Sequence, residues 1–367
     1  MLYCHLLFFI IASIKITKMK KLFSVSMMLL FALITFAQSI GEVDLKEINN
    51  YGLRKLKDAP KKVFISQFRV NFQTMYLDTE KKSGGFRGGS DYTRSYKSAV
   101  SASVALGLKG LQEKDLIDIT DELYKNLVNQ LKAEGFEIIT AEQALVSDEL
   151  KDWVKRTGGT LNQAQYDGYV SVSPTGFDYL VKGVNDDGKE KNSFFNKAPK
   201  ISQQLGGAMV LIVNLAVPFA NEAESGGSKL LGRLGGGAKV VAETNLAIGS
   251  EALDYSGTTG FYANGSSIIG LNVKQSMANI SVGNWLLKKP ISIEGVIEKK
   301  KYKAEEQAKV DMWGQDAGFF RVFDVDDRFM KNVQVIPVES AKYKAGVSAA
   351  ANKYLNAVMD EIRSSLK

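Results

Sequence analysis

The chain has 367 residues, of which 47 are basic and 40 acidic, and it contains a single histidine, His5, and a single cysteine, Cys4. Both lie within residues 1–37, which have the pattern of a cleaved secretion signal, so we expect the exported chain to contain neither. This excludes a His-activated nucleophile, a catalytic thiolate, metal sites with His or Cys ligands, and disulfide bonds. We predict no catalytic, cofactor-binding or metal-binding residue, and no cofactor.

The signal pattern starts with the basic stretch 19–21, and an apolar run follows over residues 22–36. Thr35 and Ala37 are the small residues that a signal peptidase needs at the third and first positions before its cut. We therefore predict cleavage after Ala37, with Met19 as the true start. The exported chain is then expected in the periplasm or in association with the outer membrane.

A second apolar stretch, residues 6–14, lies upstream of this signal. Crossing a bilayer takes roughly 20 apolar residues, and neither run is that long. An over-extended start upstream of Met19 explains the extra stretch, and an uncleaved membrane anchor is the alternative. Because no cysteine lies at the predicted cut, no lipid anchor is expected there.

The charge balance gives no reason to expect a nucleic-acid partner. Residues 1–37 hold four lysines and no acidic residue, so 43 basic and 40 acidic residues remain, an excess of three. The lysines at 61–62 and within 298–303 are interpreted as solvated ends of strands. Glycine clusters at 83–90 and 225–237 are typical of loops.

The first half alternates strands and helices. Predicted strands cover 63–72, 136–140 and 177–184, and the last of these closes in a turn at 185–188. A helix is predicted over 115–131 from its three-and-four spacing of leucine and isoleucine, with Asp115 as its cap and Gly135 as its stop. A second helix is predicted from Ala141 to about Arg156, and a polar excursion over 78–98.

The second half begins with a strongly apolar strand, predicted at 209–217. Apolar and polar residues then alternate with a two-residue period in the strands predicted at 240–248, 269–273 and 291–296, and we predict an antiparallel sheet with hairpins. A long helix follows over 340–366. The alternation over 238–282 fits strands inserted in a membrane or a sheet with one face in the core, and we favour the sheet.

The predicted fold class is α/β (α+β), with a mixed sheet, packed helices, antiparallel hairpins in the second half and a long C-terminal helix. The predicted regions are a leader and signal peptide at 1–37, a strand–helix–strand region at 38–200, and an antiparallel β region closed by the C-terminal helix at 201–367. We assign the last two regions to one domain.

The order of these elements resembles the CsgG-like curli-secretion channel family and the related TolB amino-terminal fold. The resemblance is carried by Val63-Phe64-Ile65-Ser66, the helix with Leu123-Leu127-Leu131, Phe136-Glu137-Ile138-Ile139, Ala141-Glu142-Gln143-Ala144-Leu145 and Gly176-Phe177-Asp178-Tyr179-Leu180-Val181-Lys182-Gly183. It covers residues 60–300. It implies an oligomeric component of envelope assembly or export.

Local motifs give little support for a reaction. Residues 232–239 differ from a phosphate-binding loop in the position of the lysine and in lacking a following Ser or Thr. The acidic stretches 185–188 and 324–327 are interpreted as turns, because neither has the spacing of a calcium loop. Phe86, Tyr92 and Tyr96 share a glycine- and arginine-containing segment, which we interpret as an ordinary loop whose aromatic residues fold back on the core; contact area for a partner or a glycan is the alternative.

The sequence thus predicts an exported, non-enzymatic envelope protein that acts in assembly, secretion or partner binding. The expected partner is a protein or a second copy of the chain, with association to the outer membrane and no nucleic acid. The alternatives are a carboxylate-dependent hydrolase, since glycosidases need no histidine, and a surface adhesin.

Overall fold

The computed structural model describes residues 38–47, 50–82, 100–163, 165–166, 168–191, 194–223, 240–249, 267–276, 280–303, 306–307 and 333–367. The chain divides into two compact units, Met1–Ser39 and Ile40–Lys367. Of the first unit only Gln38 and Ser39 are described. The predicted signal and the predicted glycine-rich loops lie outside the described residues.

Helices and strands of the second unit follow one another in chain order. The helices are α1 (Glu113–Ala133), α2 (Ala141–Ala144), α3 (Phe194–Gln204) and α4 (Ser340–Ser365), with 3₁₀ turns at Leu53–Asp58 and Asp148–Leu150. The strands are β1 (Leu45–Glu47), β2 (Lys62–Gln73), β3 (Met75–Lys82), β4 (Val100–Lys109), β5 (Glu137–Ile139), β6 (Val154–Thr157), β7 (Leu161–Asn162), β8 (Tyr169–Val172), β9 (Asp178–Val181), β10 (Gly183–Val184), β11 (Glu190–Lys191), β12 (Met209–Val217), β13 (Ala220–Glu222), β14 (Val241–Thr244), β15 (Ala247–Ile248), β16 (Ile268–Lys274), β17 (Ile280–Leu287), β18 (Ile291–Ser292), β19 (Lys301–Lys303), β20 (Glu306–Gln307) and β21 (Gln334–Pro337).

The main sheet has the strand order β1-β17-β16-β12-β2-β8-β7, and β5 also pairs with β2. Strand β2 is parallel to β12 and to β5, whereas β12 and β16, β16 and β17, and β2 and β8 are antiparallel. Strands β3 and β4 form a long hairpin in a second sheet, which β20 and β21 join. The mixed sheets and the C-terminal helix confirm the predicted α+β class.

The main sheet separates two apolar clusters. Side chains alternate between the two faces along β2 and β12. Val63 and Leu211 lie in the larger cluster, together with residues of α1 and α4, whereas Phe64 and Ile212 lie in the smaller one. The smaller cluster also contains Trp153, and residues of α2 and α3. Because both faces are covered, β12 is buried over its whole length, including its one polar residue, Asn214.

A bulge in β2 changes which side chains face the larger cluster. Leu211 pairs with Ile65 and Ile212 pairs with Gln67, so Ser66 is an extra residue relative to β12. Val63 and Ile65 face the larger cluster before the bulge; after it, that cluster receives Phe68, Val70 and Phe72. The alternate positions, held by Gln67, Arg69 and Asn71, therefore point away from this cluster.

Helices α1 and α4 lie side by side and run in the same direction. Their side-chain hydrogen bonds join residues that are 226 positions apart, at Asp118 with Lys344, Glu122 with Ser348 and Asn126 with Asn352. A constant offset between two helices is possible only when they are parallel. The Tyr354 hydroxyl donates to the carbonyl oxygen of Trp285 at 2.7 Å and attaches α4 to the sheet.

Several predicted boundaries are confirmed. Helix α1 ends before Gly135, which has a φ of 83°, and α4 covers the predicted C-terminal helix except its last residue. However, Asp115 does not precede α1 as its cap. It is the third residue of the helix, and its carboxylate accepts from the Gln112 backbone N–H at 2.7 Å, so the helix starts two residues earlier than predicted.

The helix predicted over 141–156 is wrong beyond Ala144. After α2 the chain passes through a 3₁₀ turn that buries Leu150, and Trp153 follows in the smaller apolar cluster. Residues 154–157 then form β6, which pairs with β9. Burial of these two apolar side chains and the pairing with β9 outweigh the helical propensity of the segment.

Other differences concern strands and their neighbours. The polar excursion predicted from residue 78 is strand as far as Lys82, because β3 pairs with β4 there. Strand β18 ends at Ser292, short of the predicted 296. Helix α3 and strands β4, β8 and β17 had no counterpart in the sequence analysis. None of the helices in the described part of the chain is both long enough and apolar enough to cross a membrane.

Candidate functional site

A polar pocket of about 470 Å³ lies next to β2, and residues of β7, β8, β9 and the β10–β11 hairpin line it. Its volume lies in the range of roughly 300–1,000 Å³ that is usual for ligand sites. The lining residues are mainly charged, hydroxyl-bearing or amide-bearing: Arg69, Glu113, Arg156, Thr160, Leu161, Asn162, Gln163, Ser171, Ser173, Tyr179, Asp187, Gly188 and Glu190.

Glu190 is the centre of the pocket's hydrogen bonding. Its side chain is 1 % exposed, and it forms an ion pair with Arg69, whose side chain is 5 % exposed. The Tyr179 hydroxyl donates to Glu190 Oε1 at 2.7 Å. Both carboxylate oxygens of Glu190 thus have a partner inside the protein, which a buried charge requires.

Arg156 approaches the same carboxylate from β6. Its Nε lies 3.9 Å from Glu190 Oε1, and its side chain, which lines the pocket, is 42 % exposed. Burial, followed by the negative charge of Glu190, raises the pKa of Tyr179 above its ordinary value. Tyr179 therefore remains a neutral hydrogen-bond donor at physiological pH.

A second polar network continues from Arg69 along β2. Asn71 Nδ2 donates to Asn214 Oδ1 at 2.9 Å and to the Leu215 carbonyl oxygen at 3.0 Å. The hydroxyl of Ser171, which lines the pocket, donates to Asn71 Oδ1 at 2.6 Å. This network fixes the floor of the pocket to three adjacent strands of the main sheet, and buried networks of this kind hold side chains in one arrangement.

The β10–β11 hairpin supplies the outer wall. Its turn is the one predicted at 185–188: the Gly188 N–H donates to the Asn185 carbonyl oxygen at 2.9 Å, and the Lys189 N–H donates to Asp187 Oδ1 at 2.9 Å. Asn162 Nδ2 donates to the Gly188 carbonyl oxygen at 3.3 Å, which joins the hairpin to β7. The turn positions Glu190 two residues after Gly188.

Sequence reasoning did not find this site, and it predicted no site residues. One signal was present, because a charged residue, Arg69, occurs between apolar residues of a strand that must be buried. A buried charge needs a partner, but the partner, Glu190, is 121 residues away in the chain. The sequence offers no means of choosing it among 40 acidic residues.

The other features that the sequence singled out lie elsewhere. Residues 232–239, residues 324–327 and the aromatic residues Phe86, Tyr92 and Tyr96 are outside the described residues. Lys62 is the first residue of β2, half exposed, and lies 3.6 Å from Glu137. Neither this lysine nor those of β19 line the pocket.

Within the residues that the structure describes, no group of three or more His, Cys, Asp or Glu side chains is arranged to hold a metal ion. Comparison with models of protein families gave no match, and neither the curated proteins nor the solved structures gave one.

Proposed function

We propose that this chain is an exported, non-enzymatic protein of the cell envelope that acts in assembly, secretion or partner binding. The signal pattern that ends at Ala37 supports export. The elements that carry the resemblance to CsgG-like and TolB-like proteins occur in the predicted order, as β2, α1, β5, α2 and β9. A protein partner or a second copy of the chain, and association with the outer membrane, belong to this proposal.

One observation carries the non-enzymatic part, namely the arrangement of Glu190. A carboxylate that acts in hydrolysis must reach the substrate as a nucleophile, an acid or a base. Glu190 instead accepts from Arg69 and Tyr179 and is almost completely buried. Its role is to neutralise Arg69 and hold the pocket in shape, which supports recognition of a bound group.

The test is the fate of the full-length chain in cells. A C-terminally tagged chain is expected to start at Gln38 by N-terminal sequencing and to be recovered from the periplasmic or outer-membrane fraction. Chemical cross-linking in intact cells, followed by mass spectrometry, should join it to an envelope protein or to another copy. A chain that begins at residue 38 without the signal is the matched control and should stay in the cytoplasm. Retention of the full-length chain in the cytoplasm would overturn the proposal.

A carboxylate-dependent hydrolase is the second candidate, because two further carboxylates, those of Glu113 and Asp187, line the same pocket as Glu190. Glycosidases of this kind need two facing carboxyl groups and no histidine. If this is the function, the chain cleaves oligosaccharides and Asp187→Asn or Glu113→Gln abolishes the cleavage. Absence of cleavage from a folded chain across a panel of oligosaccharides would count against it.

A further inference from the structure

We propose that the polar pocket binds a neutral saccharide. This inference rests on the proposed function, because it names the class of ligand for the site that supports it. The pocket is formed entirely by described residues of β2, α1 and the segment 156–190, and its volume suits a short oligosaccharide.

Charge is the first reason for choosing a neutral ligand. Two guanidinium groups and three carboxylates line the pocket, so the formal charge of the lining is −1. The Arg69 and Glu190 charges cancel within the protein. Arg156, Glu113 and Asp187 then remain, and a strongly anionic or strongly cationic ligand would meet a like charge among them.

Hydrogen-bonding capacity is the second reason. Arg156 presents donors, and the carboxylates of Glu113 and Asp187 present acceptors. Thr160, Ser173 and the amide of Gln163 can each donate and accept. A sugar hydroxyl also donates and accepts at the same oxygen, so a ring with several hydroxyls satisfies donors and acceptors that alternate over a short distance. A purely acidic or purely apolar ligand would leave one of the two sets unpaired.

Part of the lining is held in place by hydrogen bonds within the protein, which favours ligand binding at this pocket in general. Tyr179 is fixed by its bond to Glu190 and by its stacking on Phe177, with ring centroids 6.0 Å apart and an interplanar angle of 14°. Asn162 is held by the Gly188 carbonyl oxygen, and Ser171 by Asn71. A pocket whose side chains already have fixed positions loses little conformational entropy when a ligand binds.

The chain offers a matched pair of variants. Arg156 and Lys155 are neighbours in β6, and each side chain is 42 % exposed. Arg156 lines the pocket, whereas Lys155 forms its ion pairs with Glu142 and Asp178 and does not line it. Replacing each by alanine removes one positive charge from the same strand, but only Arg156→Ala removes it from the pocket.

The experiment presents the purified chain 38–367 to an array of neutral and uronic-acid-containing oligosaccharides, followed by isothermal titration with the best neutral one. We expect binding to at least one neutral oligosaccharide, an affinity at least about tenfold weaker in Arg156→Ala because the charged hydrogen bonds of the guanidinium group are lost, and no change in Lys155→Ala. A cooperative urea transition for every variant shows that each one is folded.

Three outcomes would overturn the inference: no neutral oligosaccharide bound by the folded chain, binding of uronic acids alone, or equal weakening by both variants. The failure of the proposed function is distinguishable. If mass spectrometry shows that the bound saccharide is cleaved, the non-enzymatic function fails and the saccharide inference stands. If the chain is exported and cross-linked to an envelope protein but binds no saccharide, the inference fails and the function stands.

Discussion

At the scale of single residues, the Arg69–Glu190 pair is the interaction on which the pocket depends. The two side chains are almost completely buried and belong to strands that are far apart in sequence. A buried ion pair adds little net stability over an apolar pair of similar size, yet losing one partner leaves an uncompensated charge. The pair therefore fixes the position of the β10–β11 hairpin more than it stabilises the fold.

Glu190→Gln tests this dependence. The substitution keeps the shape of the side chain but leaves the Arg69 guanidinium without a buried counter-charge, so the free energy of unfolding should fall by about 3–5 kcal/mol. The double variant Arg69→Met/Glu190→Gln should recover part of this loss. Urea denaturation measures both.

Asp148→Asn is the control, because the Asp148–Lys151 pair is exposed, with side-chain exposures of 66 % and 65 %, and its loss should leave the urea midpoint unchanged. An equal shift of the midpoint in Glu190→Gln and Asp148→Asn would contradict a structural role for the buried pair.

Gly110 is a second position where one residue decides the local structure. It has a φ of 113°, and a Cβ there would lie 2.2 Å from the carbonyl oxygen of Val338, which follows β21. Gly135 also has a positive φ, of 83°, but a Cβ there would meet nothing within 4 Å. Gly110→Ala therefore combines backbone strain with a steric clash, whereas Gly135→Ala causes strain alone.

We expect Gly135→Ala to cost about 1–2 kcal/mol of stability and Gly110→Ala distinctly more, because β4 must move away from the segment after β21. Thermal unfolding followed by circular dichroism measures the two losses. Equal losses would mean that the chain at Val338 shifts without cost.

At the scale of elements, the parallel helices α1 and α4 are joined by ion pairs that respond to pH. Hydrogen bonds from Lys114 and then Lys344 hold the pKa of Asp118 below its ordinary value. The hydrogen bond between Lys344 and Asp118 also raises the pKa of Lys344. The contribution of Asp118 to the free energy of unfolding is complete above the unfolded-state pKa of about 3.9, and it is lost as the pH falls through the lower folded-state pKa. The Lys344 contribution is complete below about 10.4 and is lost as the pH rises through the higher folded-state pKa.

Lys344→Met should lower the free energy of unfolding by about 0.5–1 kcal/mol between pH 5 and pH 9, since the pair is partly exposed. The difference from the parent chain should shrink below about pH 4 and above about pH 10.5. Lys353→Met is the control, because Lys353 donates to the Gly41 carbonyl oxygen, which does not titrate. Urea denaturation midpoints across the pH range measure this difference. If the midpoints of Lys344→Met and the parent chain stay equally far apart as the pH falls below about 4, the expectation is contradicted.

The elements also show how far the sequence determines the fold. Helical periodicity predicted α1 and α4 correctly, because one buried stripe decides such elements, and a strongly apolar run predicted the strand β12. The end of the predicted second helix was wrong because burial of Leu150 and Trp153 depends on distant strands. Helix α3 was missed since it is short and has Pro199 inside it. The bulge at Ser66 shifts the alternation of β2 by one residue, and only the pairing with β12 reveals it.

The same limit applies to the pocket. The turn at 185–188 was predicted from its own residues, since Asn, Asp and Gly favour turns wherever they occur together. The position of the turn beside β7 and of Glu190 beside Arg69 follows from the pairing of β6 with β9 and β10 with β11. Nothing in a single sequence indicates which of its distant residues make contacts of this kind.

At the scale of the whole molecule, the regions 38–200 and 201–367 both contribute strands to the main sheet and side chains to the two apolar clusters. Strand β1 pairs with β17, and β2 lies between β5 and β8 on one edge and β12 on the other. Helix α4 buries Tyr343 and Tyr354 against elements from both halves of the sequence. The division into regions 38–200 and 201–367 therefore follows the sequence pattern and does not separate two cores.

This arrangement predicts that neither half folds alone. A fragment of residues 38–207 retains β2 and α1 but lacks β12 and α4, so the apolar face of β2 and the inner stripe of α1 would be exposed to water. We expect each of the fragments 38–207 and 208–367 to lack a cooperative urea transition, and co-expression to restore a protease-resistant complex that melts as one unit. The chain 38–367 is the control. A cooperative transition in the isolated fragment 38–207 would contradict this prediction and show that the first half holds a core of its own, because cooperative unfolding requires packed tertiary structure.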